Sequence, residues 1–253
     1  MSLEQFSLHG KSALVTGSSR GLGLGIAVAL SEAGARVALH GSRTVPEESI
    51  RQVSAATPGT IAVTGDVSDA DACKAMIEQV LGQFGRIDIL VNNAGTIRRS
   101  PAVDFSWEDW NTVVETNLSS VFRLTQLAGR HMLEQGQGKV INIASLLTFQ
   151  GGVFVPAYAA AKGGVGQLTK AFANEWASGG VNVNAIAPGY METDNTAALR
   201  ADPVRSRQIL ERIPAGRWGK PSDLGGAAVF LASAASDYLH GHVLVVDGGW
   251  MSR

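Results

Sequence analysis

The alternation of short apolar runs with longer amphipathic stretches constrains the fold of this chain more than any other feature of its sequence. The predicted strands are residues 13–16, 36–39, 60–64, 87–91, 139–144, 181–186 and 243–246, and the predicted helices are residues 22–33, 46–56, 69–84, 107–134, 156–178 and 222–233. Most strands are continuous apolar runs, which indicates burial on both faces of a parallel sheet. Right-handed crossovers then predict a doubly wound, Rossmann-type α/β sheet of about seven strands, with helices on both faces.

The length of 253 residues fits one large α/β domain. No linker or repeat interrupts the alternation, so we predict a single domain over residues 1–253. One polar segment, at about 190–213, departs from the pattern after the turn Pro188-Gly189. We expect this segment to form a helical lid over a substrate cleft.

Composition narrows the range of partners. The net charge of −1 gives no electrostatic reason to expect nucleic acid or an anionic membrane. Cys73 is the only cysteine, which excludes an intramolecular disulfide and a thiolate metal cluster. His240 and His242 have no cysteine or carboxylate cluster nearby, so no metal site is expected. Residues 1–11 lack the apolar core of a signal peptide, and no run reaches transmembrane length, so we expect a soluble cytoplasmic protein.

The first predicted strand leads into a glycine-rich turn that is suited to bind phosphate. The stretch Thr16-Gly17-Ser18-Ser19-Arg20-Gly21-Leu22-Gly23 follows the apolar run and opens a helical pattern. A strand, a glycine-rich turn and a helix N-terminus together present backbone N–H groups to a pyrophosphate. Gly17 permits the tight turn, while Gly21 and Gly23 allow the pyrophosphate to approach and the helix to pack closely on the sheet. The turn therefore predicts a dinucleotide site.

Ser145, Tyr158 and Lys162, in the second half of the chain, have side chains suited to transfer a proton to or from a substrate oxygen. Tyr158 and Lys162 are one helical turn apart, which places their Cβ atoms about 5–6 Å from each other. We expect the charge of Lys162 to lower the pKa of the Tyr158 phenol from its reference value of about 10 toward the working range. Ser145 can hold a carbonyl or alcohol oxygen beside the phenol. The set fits proton transfer coupled to hydride transfer, although the short tyrosine–lysine pattern alone also describes an ordinary aromatic residue and a solvated charge.

These motifs together resemble the short-chain dehydrogenase/reductase family over essentially the whole chain. The residues that carry the resemblance are Thr16-Gly17-x-x-x-Gly21-x-Gly23, Asn92-Asn93-Ala94-Gly95, Asn117, Ser145, Tyr158-x-x-x-Lys162 and Pro188-Gly189. The resemblance implies an NAD(P)-dependent oxidoreductase whose catalytic residues are Asn117, Ser145, Tyr158 and Lys162.

The family resemblance also implies roles for individual residues and an assembly. Lys162 would bind the nicotinamide ribose, and Asn117 would hold a water that connects Lys162 to solvent, unless this amide is only solvated or capping. A homotetramer is implied, with the tyrosine-bearing helix and the preceding long helix at a subunit interface. Alternatively, the small residues of the tyrosine-bearing helix are buried within one subunit and form no subunit interface.

The dinucleotide is assigned to residues from several segments, namely Gly17, Ser19, Arg20, Gly21, Leu22, Gly23, Ser42, Arg43, Asp66, Val67, Asn93, Ala94, Gly95, Tyr158, Lys162, Pro188, Gly189 and Met191. Asp66 is implied to contact the adenine, or else serves as a turn or N-cap residue. An acid after the second strand would select NAD, but His40-Gly41-Ser42-Arg43 stands there. Because Arg20 and Arg43 can face a 2′-phosphate, we favour NADP(H). NAD(H) is the alternative if both arginines are solvated surface charges.

Within the family, the chain resembles the sugar-acid branch, the 2-deoxy-D-gluconate 3-dehydrogenases, also called 2-dehydro-3-deoxy-D-gluconate 5-dehydrogenases. Residues 93–99, 143–152, 187–191, 212–219 and 246–250 carry this likeness. It implies reversible hydride transfer between a nicotinamide cofactor and a secondary alcohol or ketone of a sugar acid. A gluconate 5-dehydrogenase, a 3-oxoacyl-[acyl-carrier-protein] reductase and a non-catalytic nucleotide-binding redox sensor are the alternatives.

A sugar-acid substrate carries a carboxylate, which needs a donor or cation at the rim of the cleft. Arg98 and Arg99 follow the Asn93-Ala94-Gly95 loop, and Gln150 lies five residues after Ser145. We predict that one arginine, with Gln150, binds the carboxylate beside Ser145 and Tyr158. Both arginines can instead be solvated or paired with acids such as Asp104 and Glu108.

Overall fold

The computed structural model describes residues 3–253, so the first two residues of the predicted domain lie outside the described part. The strands are β1 (Ser12–Val15), β2 (Arg36–Gly41), β3 (Ile61–Thr64), β4 (Ile89–Asn92), β5 (Gly138–Ile143), β6 (Val181–Pro188) and β7 (Val243–Val246). The α-helices are α1 (Gly21–Glu32), α2 (Glu47–Ser54), α3 (Ala70–Phe84), α4 (Trp107–Val114), α5 (Ser120–Glu134), α6 (Pro156–Trp176), α7 (Ala197–Ala201), α8 (Pro203–Arg212) and α9 (Gly225–Ala232).

The strands form one parallel sheet in the order β3-β2-β1-β4-β5-β6-β7, which confirms the predicted doubly wound fold. The direction of winding reverses between β1 and β4. In such sheets, ligands bind in the crevice at the carboxyl ends of the strands that flank this reversal. Val15 of β1 is paired with Val91 of β4, so the segments that follow these two strands lie side by side.

The continuous apolar strands are explained by two hydrophobic layers. Ala13 and Val15 pack with residues of α1 and α9 on one face of the sheet. Leu14, which points the other way, packs with residues of α3 and α5. Leu14 is fully buried, and burial of a leucine side chain contributes about 1.5–3 kcal/mol. Because both faces of the sheet are covered, strand residues that point to either face are apolar. The strands therefore lack the alternating polar positions of a half-exposed strand.

The predicted helix 107–134 is interrupted, which is the main departure from the predicted elements. A π-helical turn, Glu115–Ser119, separates α4 from α5. Such turns insert one extra residue and are frequent at functional sites. The turn carries Asn117, whose side chain is fully buried. The predicted helix 222–233 also starts later, at Gly225, because residues Pro221–Leu224 form a 3-10 turn.

The segment 190–213 is helical and lies beside the carboxyl end of the sheet. It contains a 3-10 turn, Asp194–Thr196, followed by α7 and α8. Ile209 and Ile213 fix α8 in a small apolar cluster with Trp218 and Trp250. In residues 3–253, no helix is both long and apolar enough to span a membrane.

Candidate active site

A cleft of about 460 Å³ lies at the carboxyl ends of the strands, at the reversal between β1 and β4. Most of the residues predicted to hold the dinucleotide or to act in catalysis line it together. These are Gly17, Ser19, Arg20, Gly21, Leu22, Ser42, Asp66, Val67, Asn93, Ala94, Gly95, Ser145, Tyr158, Lys162, Pro188, Gly189 and Met191. The predicted residues outside the lining are Gly23, Arg43, Arg98, Arg99, Asn117 and Gln150.

Sequence reasoning missed part of the lining. Residues 193–196, at the start of the helical segment after β6, face the cleft, as do His40, Gly41, Thr116, Ile143 and Ala144. The polar run 193–196 belongs to the segment that the sequence predicted as a lid over the cleft, but its individual residues were not assigned to the site. The inward orientation of His40 had no such signal, because a single histidine at a strand end does not show which way its ring points.

The glycine-rich turn is held against the loop after β4. A Cβ atom on Gly17 would lie 2.8 Å from the Cα of Ala94, and one on Gly23 would lie 2.4 Å from the Gly17 carbonyl oxygen. The Asn93 amide donates to the carbonyl oxygens of Thr16, at 2.9 Å, and Gly17, at 3.0 Å. Gly23 thus serves close packing, which explains why it does not line the cleft.

The start of α1 fits a dinucleotide phosphate. Arg20, at the N-cap, makes no side-chain capping hydrogen bond, so the first N–H groups of α1 are left for another acceptor. Gly21 has a φ of 59° and nothing within 4 Å of its missing Cβ, so the backbone is open on this side. An uncapped helix N-terminus beside an open glycine backbone is the arrangement that binds pyrophosphate.

The side chain of Asn117 makes hydrogen bonds to the loop after β4 and does not line the cleft. Its Oδ1 accepts from the Thr96 N–H at 2.7 Å, and its Nδ2 donates to the Thr96 carbonyl oxygen at 2.7 Å. Oδ1 would also lie 3.1 Å from a Cβ atom on Gly95. The π-helical turn thus lets Asn117 fix the loop that carries Asn93, Ala94 and Gly95, while its neighbour Thr116 lines the cleft.

Ser145, Tyr158 and Lys162 meet at the other end of the cleft. Ser145 caps the 3-10 turn Leu146–Thr148, with its Oγ accepting from the Leu147 N–H at 3.2 Å. In that bond Oγ is the acceptor, so the hydroxyl hydrogen remains a donor, which serves the Tyr158 oxygen in this structure and can serve a substrate oxygen. The Lys162 Nζ lies 5.7 Å from the centroid of the Tyr158 ring and donates to the Ile143 carbonyl oxygen.

The pKa values of this pair differ from the prediction. Burial raises the pKa of Tyr158, against opposing effects of a hydrogen bond with Ser145 and of the positive charge of Arg99. Burial also lowers the pKa of Lys162 to about 8. The prediction that Lys162 brings the Tyr158 pKa down is therefore wrong for the protein alone, because desolvation of the phenol is the larger effect. The phenol is protonated at neutral pH and available as an acid.

At the cofactor end of the cleft, Arg20 and Asp66 have polar partners within the protein, whereas Arg43 is exposed. The Arg20 Nε lies 2.9 Å from the Asp194 Oδ2, and this exposed ion pair joins the glycine-rich turn to the segment after β6. Arg43 is exposed. The Asp66 Oδ1 accepts from the N–H and the hydroxyl of Ser68, and these two hydrogen bonds lower the pKa of Asp66.

The two arginines after β4 have different partners. The Arg98 Nε lies 3.2 Å from the Asp109 Oδ1, while Arg99 donates to the Asn195 carbonyl oxygen at 3.1 Å. Arg99 is thereby directed toward the cleft, since Asn195 lines it and the charge of Arg99 acts on Tyr158. Gln150 lies next to the C-terminal residues of the chain, and its Nε2 is 3.1 Å from the Sδ of Met251.

The fold and the site define an enzyme class, and comparisons with known proteins agree. A family model described as enoyl-(acyl carrier protein) reductase matches residues 17–251. The chain belongs to the short-chain dehydrogenase/reductase family and is an oxidoreductase. Among residues 3–253, no group of three or more histidine, cysteine, aspartate or glutamate side chains could hold a metal ion.

Individual relatives share nearly the full length of the chain. The 2-dehydro-3-deoxy-D-gluconate 5-dehydrogenase of Bacillus subtilis is 55% identical over 99% of this chain and 98% of its own. The enzyme of the same name from Escherichia coli is 53% identical over 100% of both chains. The structure of a gluconate 5-dehydrogenase from Burkholderia cenocepacia, in complex with NADP and tartrate, has a TM-score of 0.94 at 42% identity and covers 99% of both chains.

Proposed function

We propose that this protein catalyses the reversible, NADP(H)-dependent oxidation of a secondary alcohol on a sugar acid of the 2-keto-3-deoxygluconate type. The observation that carries the proposal is the meeting of Ser145, Tyr158 and Lys162 at one end of a cleft whose other end is a phosphate-binding turn. The names of the Bacillus and Escherichia relatives support the sugar acid as substrate.

The residues of the chain divide the work of proton transfer. Bound NADP(H) supplies or accepts the hydride. In the reductive direction the protonated Tyr158 phenol donates its proton to the substrate oxygen, which Ser145 polarises by hydrogen bonding. Lys162, charged below about pH 8, binds the nicotinamide ribose hydroxyls and stabilises the phenolate as the proton leaves. Asn117 orders the adjacent loop through its two hydrogen bonds with Thr96, and the water that it would hold for Lys162 is proposed on the family resemblance alone.

Three alternative functions are separated by simple assays. A 3-oxoacyl-[acyl-carrier-protein] reductase would use the same catalytic residues and would turn over a short acyl thioester but no keto-sugar acid. A gluconate 5-dehydrogenase would prefer 5-keto-D-gluconate to a keto-deoxy acid. A redox sensor would bind dinucleotide without turnover, but a pure binder has no need for Ser145, Tyr158 and Lys162 together.

A preference for NADP(H) is the first testable consequence. We expect Arg20→Ala and Arg43→Ala each to raise the KM for NADPH roughly tenfold and to change the KM for NADH much less, because each removes a cation that can pair with the 2′-phosphate. Arg20 lines the cleft, whereas Arg43 must move toward it, so the Arg20 variant should show the larger effect. Steady-state kinetics with both cofactors measures the difference.

The matched control for this test is Arg51→Ala, which removes an exposed arginine from α2 that is paired with Glu48 outside the cleft. It should leave both KM values unchanged. A higher kcat/KM with NADH than with NADPH in the wild type would show that the cofactor assignment is wrong.

Carboxylate binding by Arg99 is the second consequence. We expect Arg99→Ala to raise the KM for keto-sugar acids roughly ten- to a hundredfold, since one charge-assisted hydrogen bond is worth about 1.5–3 kcal/mol. The KM for uncharged keto-sugars should change little. Arg98→Ala is the control, because Arg98 is paired with Asp109, whereas Arg99 contacts Asn195 of the lining. Equal effects of Arg99→Ala on acids and on neutral analogues would exclude this role.

The domain, the lid and the assembly complete the proposal. Residues 1–253 form one domain, and segment 190–213 closes over the bound substrate, which its place beside the cleft supports. A cytoplasmic homotetramer fits an apolar groove formed by the π-helical turn, α5 and α6, which contains Leu118, Phe122 and Leu168, with Phe122 44% exposed. Light scattering after gel filtration measures the assembly, and a monomer would refute it.

A further inference from the structure

His40 is a buried residue of the cleft that the proposed chemistry does not use. It is the next-to-last residue of β2, and it is only 2% exposed although it lines the cleft. Its imidazole lies between the glycine-rich turn after β1 and the loop after β3. The ring is hydrogen-bonded to both segments, to the Gly17 N–H of the turn and to the Gly65 carbonyl oxygen of the loop.

The two partners define the protonation state of the ring. The Gly17 N–H donates to Nδ1 at 2.9 Å, so Nδ1 carries no hydrogen. Nε2 lies 2.9 Å from the Gly65 carbonyl oxygen, which can only accept, so Nε2 carries the hydrogen. Both bonds therefore require the neutral Nε2–H form. A protonated imidazole would place a second hydrogen against the Gly17 N–H.

The surroundings of the ring favour this neutral form. Burial lowers the pKa of His40, against smaller opposing effects of the Gly65 hydrogen bond and the negative charge of Asp66. The other charged groups on the adjoining segments are Arg20, which is paired with Asp194, and Arg43, which is exposed. Because the pKa lies below that of a free histidine, the neutral form of the ring predominates at neutral pH and is lost as the pH falls.

The hydrogen bond from the Gly17 N–H to the His40 ring is one of several contacts that hold the glycine-rich turn against β2, and it is the one that involves a titratable group. Ser18 of the turn donates its N–H to the His40 carbonyl oxygen at 2.9 Å and accepts from the His40 N–H at 2.8 Å through Oγ. These two contacts, which involve no titratable group, keep the turn near β2 at any pH. Among residues 3–253, the His40 ring is the one side chain that hydrogen-bonds both to the turn, at Gly17, and to the loop that leads from Gly65 to Asp66 and Val67.

We infer that His40 is a positioning residue for the dinucleotide. Its neutral imidazole fixes the phosphate-binding turn relative to the adenosine-side loop, and its protonation weakens cofactor binding at acid pH. The inference rests on the proposed use of the cleft for NADP(H). It predicts a loss of affinity with little loss of turnover at saturating cofactor, since Ser145, Tyr158 and Lys162 lie at the other end.

The test is calorimetric titration of the full-length protein with NAD⁺ and NADP⁺ at about pH 7 and about pH 5, for the wild type and for His40→Asn. In this range Lys162 stays charged, its pKa being about 8, and the pKa of Asp66 is lowered below its ordinary acidic value. NAD⁺ lacks the 2′-phosphate, a group that itself titrates near about pH 6. The asparagine oxygen can accept from the Gly17 N–H at either pH.

We expect the wild type to bind NAD⁺ roughly threefold or more weakly at the lower pH, while the asparagine variant changes by less than about 1.5-fold. Equal wild-type affinity at both pH values would overturn the inference. So would a variant that is merely less stable and keeps the wild-type pH dependence, which would mark a purely structural role. Failure of the wild type to bind either nucleotide at about pH 7 would instead refute the proposed function, and the inference with it.

Discussion

Tyr158→Phe should lower kcat by at least ~10², the usual scale for the loss of a general acid–base group. The phenylalanine keeps the ring that packs near the Lys162 ammonium but removes the hydroxyl that is hydrogen-bonded to Ser145. Cofactor affinity should stay nearly intact. Steady-state turnover and fluorescence titration with NADPH measure the two quantities separately.

Tyr238→Phe is the matched control, because Tyr238 is fully exposed and lies outside the cleft. It removes the same hydroxyl group from the chain and should leave turnover unchanged. A Tyr158→Phe enzyme with near-normal kcat would refute the assignment of the proton donor.

Lys162→Met should reduce turnover by a similar factor and, unlike Tyr158→Phe, weaken cofactor binding as well. The two effects follow from two roles, the charge that stabilises the phenolate and the contact with the ribose. Because burial lowers the pKa of Lys162 to about 8, the charge is present below that pH and is lost above it. Wild-type affinity for NADPH should therefore weaken as the pH rises through about 8, and the methionine variant should lack this dependence.

Lys170→Met provides the control, since Lys170 is an exposed lysine two turns further along α6 and outside the cleft. It changes the same charge on the same helix. If Lys162→Met lowered turnover but left NADPH affinity and its pH dependence unchanged, the ribose contact would be excluded.

The fold was largely predictable because its signals are local. Strands buried on both faces are continuous apolar runs, and all seven were located to within a few residues. The glycine-rich turn was also recognisable from its local pattern, although part of the reason that Gly17 and Gly23 have no space for a Cβ atom is the approach of Asn93 and Ala94 from a distant segment. The tyrosine and lysine lie on one helix, so their spacing alone placed them together.

The features that the sequence did not reveal depend on contacts between distant segments. The π-helical turn in the predicted helix 107–134 accompanies the bonds of Asn117 to Thr96, which no helical pattern encodes. The pKa of Tyr158 is set by burial that arises only after folding. Both arginines after β4 looked equivalent in the sequence, and only their partners, Asp109 for Arg98 and Asn195 for Arg99, separate them.

The measurement that tests the central claim most directly is an initial-rate assay of the wild type with NADPH or NADH and a panel of carbonyl substrates. The panel contains keto-deoxy sugar acids, 5-keto-D-gluconate, uncharged keto-sugars and a short 3-oxoacyl thioester. We predict the highest kcat/KM for a keto-deoxy sugar acid with NADPH. Turnover of the thioester without turnover of any sugar acid, or binding of nucleotide without turnover of any substrate, would contradict the account.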